Sequence, residues 1–277
     1  MDPRQGPTPH HRGGRGEPVV LLHGLGMSWR AWRPVLDAIQ ARHTVLAPTL
    51  PGHRGGPAAP AVPTIGRLAD AVEAGMDGAG VATAHLVGNS LGGWLALELA
   101  RRGRARTVTA FSPGGAWRGP ADVRRLQLGI GLTRLTMSNP LLPVYLCRPL
   151  ARRVALLGLM ERADRMTWGE AVDLVADVRA CSLLRDGVRM GTRAGQLPAF
   201  DAGPCPLRIV WGERDRVLPH DRHGRPLAER FPAAEHVLLP GAGHVPMYDR
   251  PREVAELILG LTARAGAGES KARSWRS

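Results

Sequence analysis

The chain has only three cysteines in 277 residues, Cys147, Cys181 and Cys205, and they stand far apart. None is part of a Cys-x-x-Cys pair or has a histidine at metal-ligand spacing, so the sequence indicates neither a zinc site nor a disulfide framework. No apolar run approaches the ~20 residues that a membrane-spanning helix needs. The opening residues, MDPRQGPTPHHRGGRG, lack the apolar core of a signal peptide. We therefore expect a cytoplasmic globular protein that has no stable membrane association.

Lysine is almost absent. Lys271 is the only one, and arginine supplies nearly all the positive charge behind a formal net charge of +13. Such a charge could suit nucleic acid or an anionic membrane surface. The arginines are spread over most of the chain, however, and the densest cluster, ARRGRAR at 100–106, stands where a helix should end and cations favour the helix dipole. We expect no nucleic-acid partner.

Buried-strand patterns alternate with helical patterns along most of the chain. Strands are predicted at PVVLLHG (18–24), HTVLAPTLPGH (43–53), AHLVGNS (84–90), RTVTAFSP (106–113), LRIVWGERD (207–215) and EHVLLPGAGH (235–244). Helices are predicted at WRAWRPVLDAIQAR (29–42), LGGWLALELARRG (91–103), RPLAERFP (225–232) and REVAELILGLTARA (252–265). This alternation predicts an α/β protein with a mainly parallel central sheet and helices on both faces.

The section between the fourth and fifth predicted strands has helical patterns only. They are DVRRLQLGIGLTRL (122–135), RPLARRVALLGLMERADR (148–165) and TWGEAVDLVADVRACSLLRDG (167–187). We predict that residues 115–204 form a helical cap over the carboxyl ends of the strands. Residues 17–114 and 205–265 then form the core. The termini, 1–16 and 266–277, are expected to be flexible, with one poor strand as the alternative for the first segment.

Ser90 lies in the sequence Gly88-Asn89-Ser90-Leu91-Gly92, a G-x-S-x-G pattern between a buried strand and a helix. The glycines permit the sharp turn that exposes a nucleophilic hydroxyl, and the helix N-terminus favours a developing negative charge. The pattern alone is weak evidence, and its strand-turn-helix context gives it weight. Ser90 is therefore the candidate nucleophile.

A serine nucleophile needs a base, and the base needs an acid that fixes its tautomer. Asp215 and His244 follow the last two predicted strands, in the chain order Ser, Asp, His that this architecture uses. Glu213 is a competing acid, but it stands two residues earlier and should point elsewhere. Asp215 and His244 are the candidate acid and base.

Acyl transfer also needs backbone donors for the oxyanion. We expect one from the N–H of Leu91, which follows Ser90, and the second from Leu25 in the loop HGLG (23–26). His23 is interpreted as a structural loop residue. No motif supplies a metal-ligand cluster or a dinucleotide loop, so no metal and no cofactor is expected.

Taken together, these motifs resemble the α/β-hydrolase family, in particular its cap-bearing esterases, carbon–carbon bond hydrolases and cofactor-free haloperoxidases. The resemblance covers about residues 17–265 and rests on LLHGLG, PGH, GNSLGG, WGERDRVLP and GAGHVPMYDRP, in that order. It implies a triad of Ser90, Asp215 and His244, with an oxyanion hole at Leu25 and Leu91. The family usually has a strand hairpin before its His-Gly strand. Few residues precede that strand here, so we expect a reduced hairpin or a true start further upstream.

The resemblance also limits which reactions we expect this protein to catalyse. Epoxide hydrolases and haloalkane dehalogenases are similar in fold but use aspartate where this chain has Ser90. Epoxide opening also relies on cap tyrosines, and Tyr145 is the only tyrosine in the predicted cap. Carbon–carbon hydrolases generally have tryptophan after the catalytic histidine, where this chain has HVPMYD. We favour hydrolysis of an ester or thioester, with carbon–carbon hydrolysis and perhydrolase-type acyl transfer as alternatives.

Two other classes of function are weighed against an enzyme. Some proteins of this fold are ligand receptors, since fold does not determine function. A receptor with a misaligned triad would resist a fluorophosphonate probe. An arginine-rich binder of nucleic acid or anionic lipid would show a steep salt dependence of association.

The predicted cap should select the substrate. Its helices carry apolar residues at Leu126, Ile130, Leu135, Leu156, Leu157 and Met160. Some of these must face the strand ends, which favours a small hydrophobic acyl or aromatic substrate. We expect Leu157 and Met160 to line the pocket, and the alternative is that the cap residues only pack on the core.

Overall fold

A computed structural model describes residues 9–184, 197, 198, 200 and 205–274, with side chains described up to residue 265. Predictions that fall on residues 1–8, 185–196, 199, 201–204 and 275–277 lie outside the described residues. These include the ends of both predicted flexible termini and the last part of the predicted cap.

Seven strands form one sheet in the part of the chain that the structure describes. They are β1 (His10–Gly13), β2 (Pro18–Leu22), β3 (Thr44–Pro48), β4 (Ala84–Asn89), β5 (Ala105–Phe111), β6 (Leu207–Gly212) and β7 (Glu235–Leu239). Their order across the sheet is β1-β3-β2-β4-β5-β6-β7. Only the β1–β3 pair is antiparallel, so the prediction of a mainly parallel sheet is confirmed.

Helices connect these strands. They are α1 (Arg33–Gln40), α2 (Ile65–Gly78), α3 (Leu91–Arg101), α4 (Pro120–Ser138), α5 (Leu142–Tyr145), α6 (Pro149–Ala155), α7 (Trp168–Ala180), α8 (His220–Arg230), α9 (Pro246–Asp249) and α10 (Pro251–Ser274). α3 packs on β4 and β5 and contacts α2, whereas α10 packs on β5 and contacts α1. Helices α4 to α7 lie between β5 and β6 in the chain, where the sequence predicts a helical insertion.

The strand order reverses beside β2, because β3 lies on one side of it and β4 on the other. In open parallel sheets, ligands bind at the carboxyl ends of the strands next to such a reversal. β2 ends directly before His23 and Gly24, and β4 ends directly before Ser90. The topology therefore brings the HGLG loop and the candidate nucleophile to the same edge of the sheet.

The core explains why these runs form central strands. All six residues of β4 are buried, as are four of the five in β2, so both strands are covered on two faces. The largest fully buried side chains are Trp32, Trp211, Phe111, Leu21, Leu22, Ile39, Leu50, Leu68, Met76, Leu86, Leu95 and Leu97. The parts of the chain before and after the helical insertion thus contribute helices and strands to one hydrophobic core.

Two helical features differ from the sequence prediction. No element is predicted for residues 54–83, yet α2 lies there, with the Thr64 side chain accepting a hydrogen bond from the Arg67 N–H at 3.2 Å. The predicted helix at 148–165 is too long, because α6 ends at Ala155. The chain turns inward there, and the Leu159 carbonyl accepts a hydrogen bond from the Val245 N–H at 2.9 Å.

Secondary structure extends into both segments that the sequence predicts to be flexible termini. β1 pairs with β3 from His10 to Gly13, so part of residues 1–16 is an edge strand, as the alternative interpretation has it. α10 continues to Ser274, beyond the predicted helix end at residue 265. A single described strand, β1, precedes β2 in place of the hairpin usual in the family that the sequence resembles.

Candidate active site

Ser90 occupies a strained turn between β4 and α3. Its φ of 55° and ψ of −112° lie in a region that non-glycine residues rarely adopt. Both flanking glycines are required by close packing. A Cβ at Gly88 would lie 2.0 Å from the Gly92 carbonyl oxygen, and a Cβ at Gly92 would lie 2.0 Å from the Leu22 oxygen. The sharp turn therefore depends on the glycine spacing of the G-x-S-x-G pattern.

Asn89 has a role that was not predicted from the sequence. Its buried side chain donates from Nδ2 to the His244 carbonyl at 2.8 Å and to the Phe111 carbonyl at 3.2 Å. Asn89 therefore ties the residue before the nucleophile to the loop that carries His244. Nothing in the spacing could reveal this, because the partners are distant in sequence.

His244 and Asp215 form a buried pair. His244 Nδ1 lies 2.7 Å from Asp215 Oδ2, and the exposed fractions of the two side chains are 5% and 0%. The other carboxylate oxygen, Oδ1, accepts hydrogen bonds from the N–H groups of Val217 at 2.9 Å and Leu218 at 2.7 Å. With Asp215 as acceptor, the neutral imidazole carries its proton on Nδ1 and keeps its lone pair on Nε2.

Glu213 is directed elsewhere, as the sequence predicts. It is exposed, and its Oε2 accepts a hydrogen bond from the Gly241 N–H at 2.8 Å. Glu213 thus braces the turn after β7, whereas Asp215 contacts the imidazole.

Asp249, in the short helix α9, anchors the loop of His244. Its Oδ2 accepts a hydrogen bond from the Gly243 N–H, and its Oδ1 accepts one from the Arg162 N–H, both at 2.7 Å. Burial raises the pKa of this carboxyl group, while the two backbone donors oppose that rise. Asp249 therefore joins the His244 loop to the helical insertion.

Leu25 and Leu91 both line the cavity that contains Ser90. The N–H of Leu91 belongs to the first residue of α3 and so has no acceptor within the helix. Among the described residues, neither this N–H nor that of Leu25 has a hydrogen-bond acceptor. Two residues that line the cavity of Ser90 therefore carry backbone donors without a described acceptor.

His23 supports the loop that carries Leu25. Its Nδ1 bonds the Gly24 carbonyl at 2.8 Å, and its Nε2 accepts a hydrogen bond from the Leu50 N–H at 2.9 Å. Burial, and then the neighbouring His53, hold the pKa of His23 well below its ordinary value. The imidazole is neutral at physiological pH and has a structural position.

A cavity of about 770 Å³ contains both Ser90 and His244. Its volume lies within the range typical of small-molecule sites. Most of its lining is apolar and comes from α3, the loop before α4, α4 itself and the segment around α6, including Trp94, Trp117, Leu126, Ile130, Leu156 and Leu159. The strand-end residues and the helical insertion thus enclose one apolar space.

The positions predicted for two insertion residues are corrected by the structure. Leu157 and Met160 do not line the cavity: Leu157 is 38% exposed, and Met160 is fully buried against Gly243. Leu135 is 70% exposed on the outer side of α4. The inward turn after Ala155 shifts the helical phase, so a continuous helix assigns Leu157 and Met160 to the wrong sides.

Several residues that line the cavity were not predicted from the sequence, among them His223 on α8. This buried imidazole interacts with the Ala116 backbone, and burial lowers its pKa. Its Nδ1 has no hydrogen-bond partner among the described residues. A second imidazole, besides that of His244, therefore lies in the cavity wall, and no motif marks it.

The structure also bears on metals and membrane spans within its described part. No group of three or more histidine, cysteine or acidic side chains there could hold a metal ion, and no helix there is long and apolar enough to cross a membrane. Cys147, Cys181 and Cys205 are free thiols.

Comparisons with known proteins agree with this architecture. Residues 19–257 match the family model described as the alpha/beta hydrolase family. The epoxide hydrolase EphH of Mycobacterium tuberculosis is 34% identical over 195 residues, which are 69% of this chain and 91% of that protein. A 2-hydroxy-6-oxononadienedioate/2-hydroxy-6-oxononatrienedioate hydrolase of Pseudomonas sp. is 26% identical over 269 residues, 91% of this chain and 90% of that protein.

Solved structures show the same fold. A thermophilic esterase from Thermogutta terrifontis superposes with a TM-score of 0.71 at 21% identity, covering 92% of this chain and 93% of that one. The family match spans most of the chain and includes every residue of the candidate site. The chain therefore belongs to the alpha/beta hydrolase family and is a hydrolase enzyme.

Proposed function

We propose that the enzyme hydrolyses an ester or thioester of a small hydrophobic molecule through an acyl-enzyme on Ser90. One observation carries the proposal: the strained Ser90 lines the same apolar cavity as His244, whose Nδ1 is bonded to the buried Asp215. A nucleophile, a base and an acid in this arrangement are the requirements for activating a serine hydroxyl.

In the first half of the reaction, Ser90 Oγ attacks the carbonyl carbon while His244 Nε2 takes the hydroxyl proton. Asp215 stabilises the resulting imidazolium through Nδ1. The N–H groups of Leu25 and Leu91 donate to the oxyanion of the tetrahedral intermediate. His244 then returns the proton to the leaving alcohol or thiol, and the acyl group remains on Ser90.

In the second half, water attacks the acyl-enzyme and His244 again serves as base. The second tetrahedral intermediate uses the same two donors, and its collapse releases the carboxylic acid and restores Ser90. Each proton that His244 accepts is returned to a leaving oxygen or sulfur. Peroxide in place of water would give perhydrolase-type transfer at the same site.

The name of the relative EphH raises epoxide opening as an alternative. An epoxide opened by a carboxylate gives an ester, which water can hydrolyse at the carbonyl. An epoxide opened by Ser90 would give an ether, which has no carbonyl for water to attack. The serine at position 90 therefore favours acyl substrates over epoxides.

Carbon–carbon hydrolysis is the second candidate, and the relative from Pseudomonas, by its name, favours it. The same triad could serve that reaction, so substrate turnover must decide. We would test purified protein with short and long aryl esters, an acyl thioester, a vinylogous 1,5-diketone acid and styrene oxide. The proposal predicts turnover of esters or thioesters and none of the epoxide. Exclusive turnover of the diketone would favour carbon–carbon cleavage, and binding without any turnover would favour a receptor.

The wall of the cavity should select the acyl chain. Ile130→Ala enlarges the lining beside α4, and we expect it to shift kcat/KM between long and short esters by about tenfold, since one or two methylenes are worth ~1–3 kcal/mol. Leu135→Ala on the exposed side of the same helix is the matched control and should leave the ratio unchanged. If the ratio of kcat/KM between long and short esters were the same in both variants and the wild type, α4 would not contact the substrate.

The proposed chemistry uses only side chains, backbone N–H groups and water. Activity should therefore be unchanged after dialysis against EDTA, measured as initial rate on a short aryl ester. Loss of activity that zinc restores would contradict the expectation that no metal takes part.

A further inference from the structure

Helix α4 is apolar on two opposite sides. Leu126 and Ile130 line the cavity on its inner side. On its outer side Leu128, Leu132 and Leu135 follow the spacing i, i+4, i+7, with exposed fractions of 75%, 65% and 70%. The three outer leucines therefore form an apolar stripe that no other described residue covers.

The segment around α6 also exposes apolar side chains. Leu150 and Val154 stand at i and i+4 on α6, and Leu157 lies in the turn after the helix ends; all three are exposed. Both helices contribute to the lining of the cavity, Leu132 from α4 and Ala155 from α6. Leu132 is both exposed and part of the lining, so the exposed apolar surface of α4 reaches the cavity there.

The same stretch has charge of one sign only. Residues 123–160 contain no aspartate or glutamate, but they contain six arginines, at positions 124, 125, 134, 148, 152 and 153. Arg124, Arg134 and Arg148 are exposed, and none of them is paired with a carboxylate among the residues that the structure describes. The surface thus joins exposed leucine and valine side chains with cations that lack acidic partners.

We propose that this surface, the exposed side of residues 124–157, docks reversibly on an anionic lipid bilayer. We call it the cap face. Apolar side chains that enter the acyl boundary, together with guanidinium groups that bind lipid phosphates, are the features of interfacial helices on anionic membranes. Exposed apolar patches of this kind mark interaction surfaces.

Charge argues against a second copy of the chain as the occupant. A twofold contact places the same patch on both partners, so the unpaired arginines would face one another without a carboxylate between them. Nucleic acid would neutralise the arginines but would leave the leucine and valine side chains against a polar backbone. An anionic bilayer complements both the charge and the apolar surface.

Docking on the cap face would bring the opening of the cavity to the lipid, so that a hydrophobic substrate could enter from the bilayer. Binding of this kind is weakened by salt, which is compatible with the expectation of no stable membrane association. The docking itself does not rest on the proposed reaction. Ser90→Ala should bind vesicles as the wild type does, so failure of one proposal leaves the other open to its own test.

The test is flotation of the full chain with vesicles of phosphatidylcholine alone or mixed with phosphatidylglycerol. We expect binding to the mixed vesicles, weak binding to phosphatidylcholine, and release as sodium chloride is raised. The variant Leu128→Gln/Leu135→Gln/Leu150→Gln should bind roughly tenfold or more weakly, because it removes apolar burial. Its activity on a soluble short ester should match the wild type, since none of the three lines the cavity.

Two variants that each lose three arginines distinguish the effect of where the positive charges lie from the effect of the total charge of the protein. Arg124→Gln/Arg134→Gln/Arg148→Gln should bind roughly a hundredfold more weakly, at about fivefold for each arginine near an anionic surface. The control replaces three exposed arginines outside the cap face, Arg42, Arg67 and Arg252, with glutamine. It has the same net charge and should bind nearly as the wild type does.

Three results would overturn the proposal. One is no binding to phosphatidylglycerol vesicles, and another is equal weakening by the two charge variants, which would indicate attraction to any polyanion. The third is a wild-type dimer in solution that the leucine variant converts to monomer, because a second copy would then cover the cap face.

Discussion

Ser90→Ala abolishes ester hydrolysis: we expect kcat/KM to fall by ~10⁴-fold or more, as for the loss of a triad nucleophile. The residual rate would come from binding and from the backbone donors. Alanine keeps the Cβ of serine, so the strained turn at φ 55° is no more strained in the variant. The melting temperature should therefore stay close to that of the wild type.

Ser112→Ala is the matched control for this variant. Ser112 is also a buried serine at positive φ (41°), directly after β5, but it is not part of the cavity lining. Its replacement should leave kcat and KM unchanged. If Ser90→Ala kept most of the activity on an aryl ester while Ser112→Ala lost it, the assignment of the nucleophile would be wrong.

Asp215→Asn should lower kcat by about 10⁴-fold, the effect expected when the catalytic imidazole takes the wrong tautomer. The geometry gives the reason. The N–H groups of Val217 and Leu218 would hold the amide oxygen where Asp215 Oδ1 lies now, which turns the NH₂ group toward His244 Nδ1. Nδ1 must then accept, and Nε2 carries the proton, so His244 cannot take the proton of Ser90.

Glu213→Gln provides the comparison for the acid. Glutamine can still accept the hydrogen bond from the Gly241 N–H, and the side chain is exposed, so kcat should stay within about threefold of the wild type, as for surface changes generally. Steady-state kinetics of both variants on one ester, with melting temperatures, measures the difference. A large loss in Glu213→Gln with little change in Asp215→Asn would transfer the role of acid to Glu213.

The features that the sequence could predict are those with a local cause. Apolar β-branched runs become central strands because both of their faces are covered, and the topology then brings the ends of β2 and β4 together. Ser90, Asp215 and His244 each directly follow or closely follow a strand, so their position relative to the sheet can be inferred from order alone. The resemblance to the α/β-hydrolase family rests on the same local motifs.

The features that escaped prediction depend on distant contacts. Asn89 matters because it reaches the carbonyl of His244, far along the chain. The end of α6 at Ala155 follows from contacts of Leu159 and Met160 with the His244 loop, and that turn reverses the sides expected for Leu157 and Met160. The sequence of α2 has few strong helix signals, because glycines interrupt its apolar pattern. The helix is nevertheless held in place because its buried residues pack against α3.

The measurement that tests the central claim most directly is the site of covalent modification by a fluorophosphonate. The native enzyme should gain the mass of one phosphonyl group, and peptide mapping should place it on Ser90, because only a serine with an aligned base and oxyanion donors reacts readily with this probe. Ser90→Ala should gain no mass under the same conditions. An unmodified native enzyme, or an adduct on any other residue, would contradict the assignment of Ser90 as the nucleophile of an acyl-enzyme hydrolase.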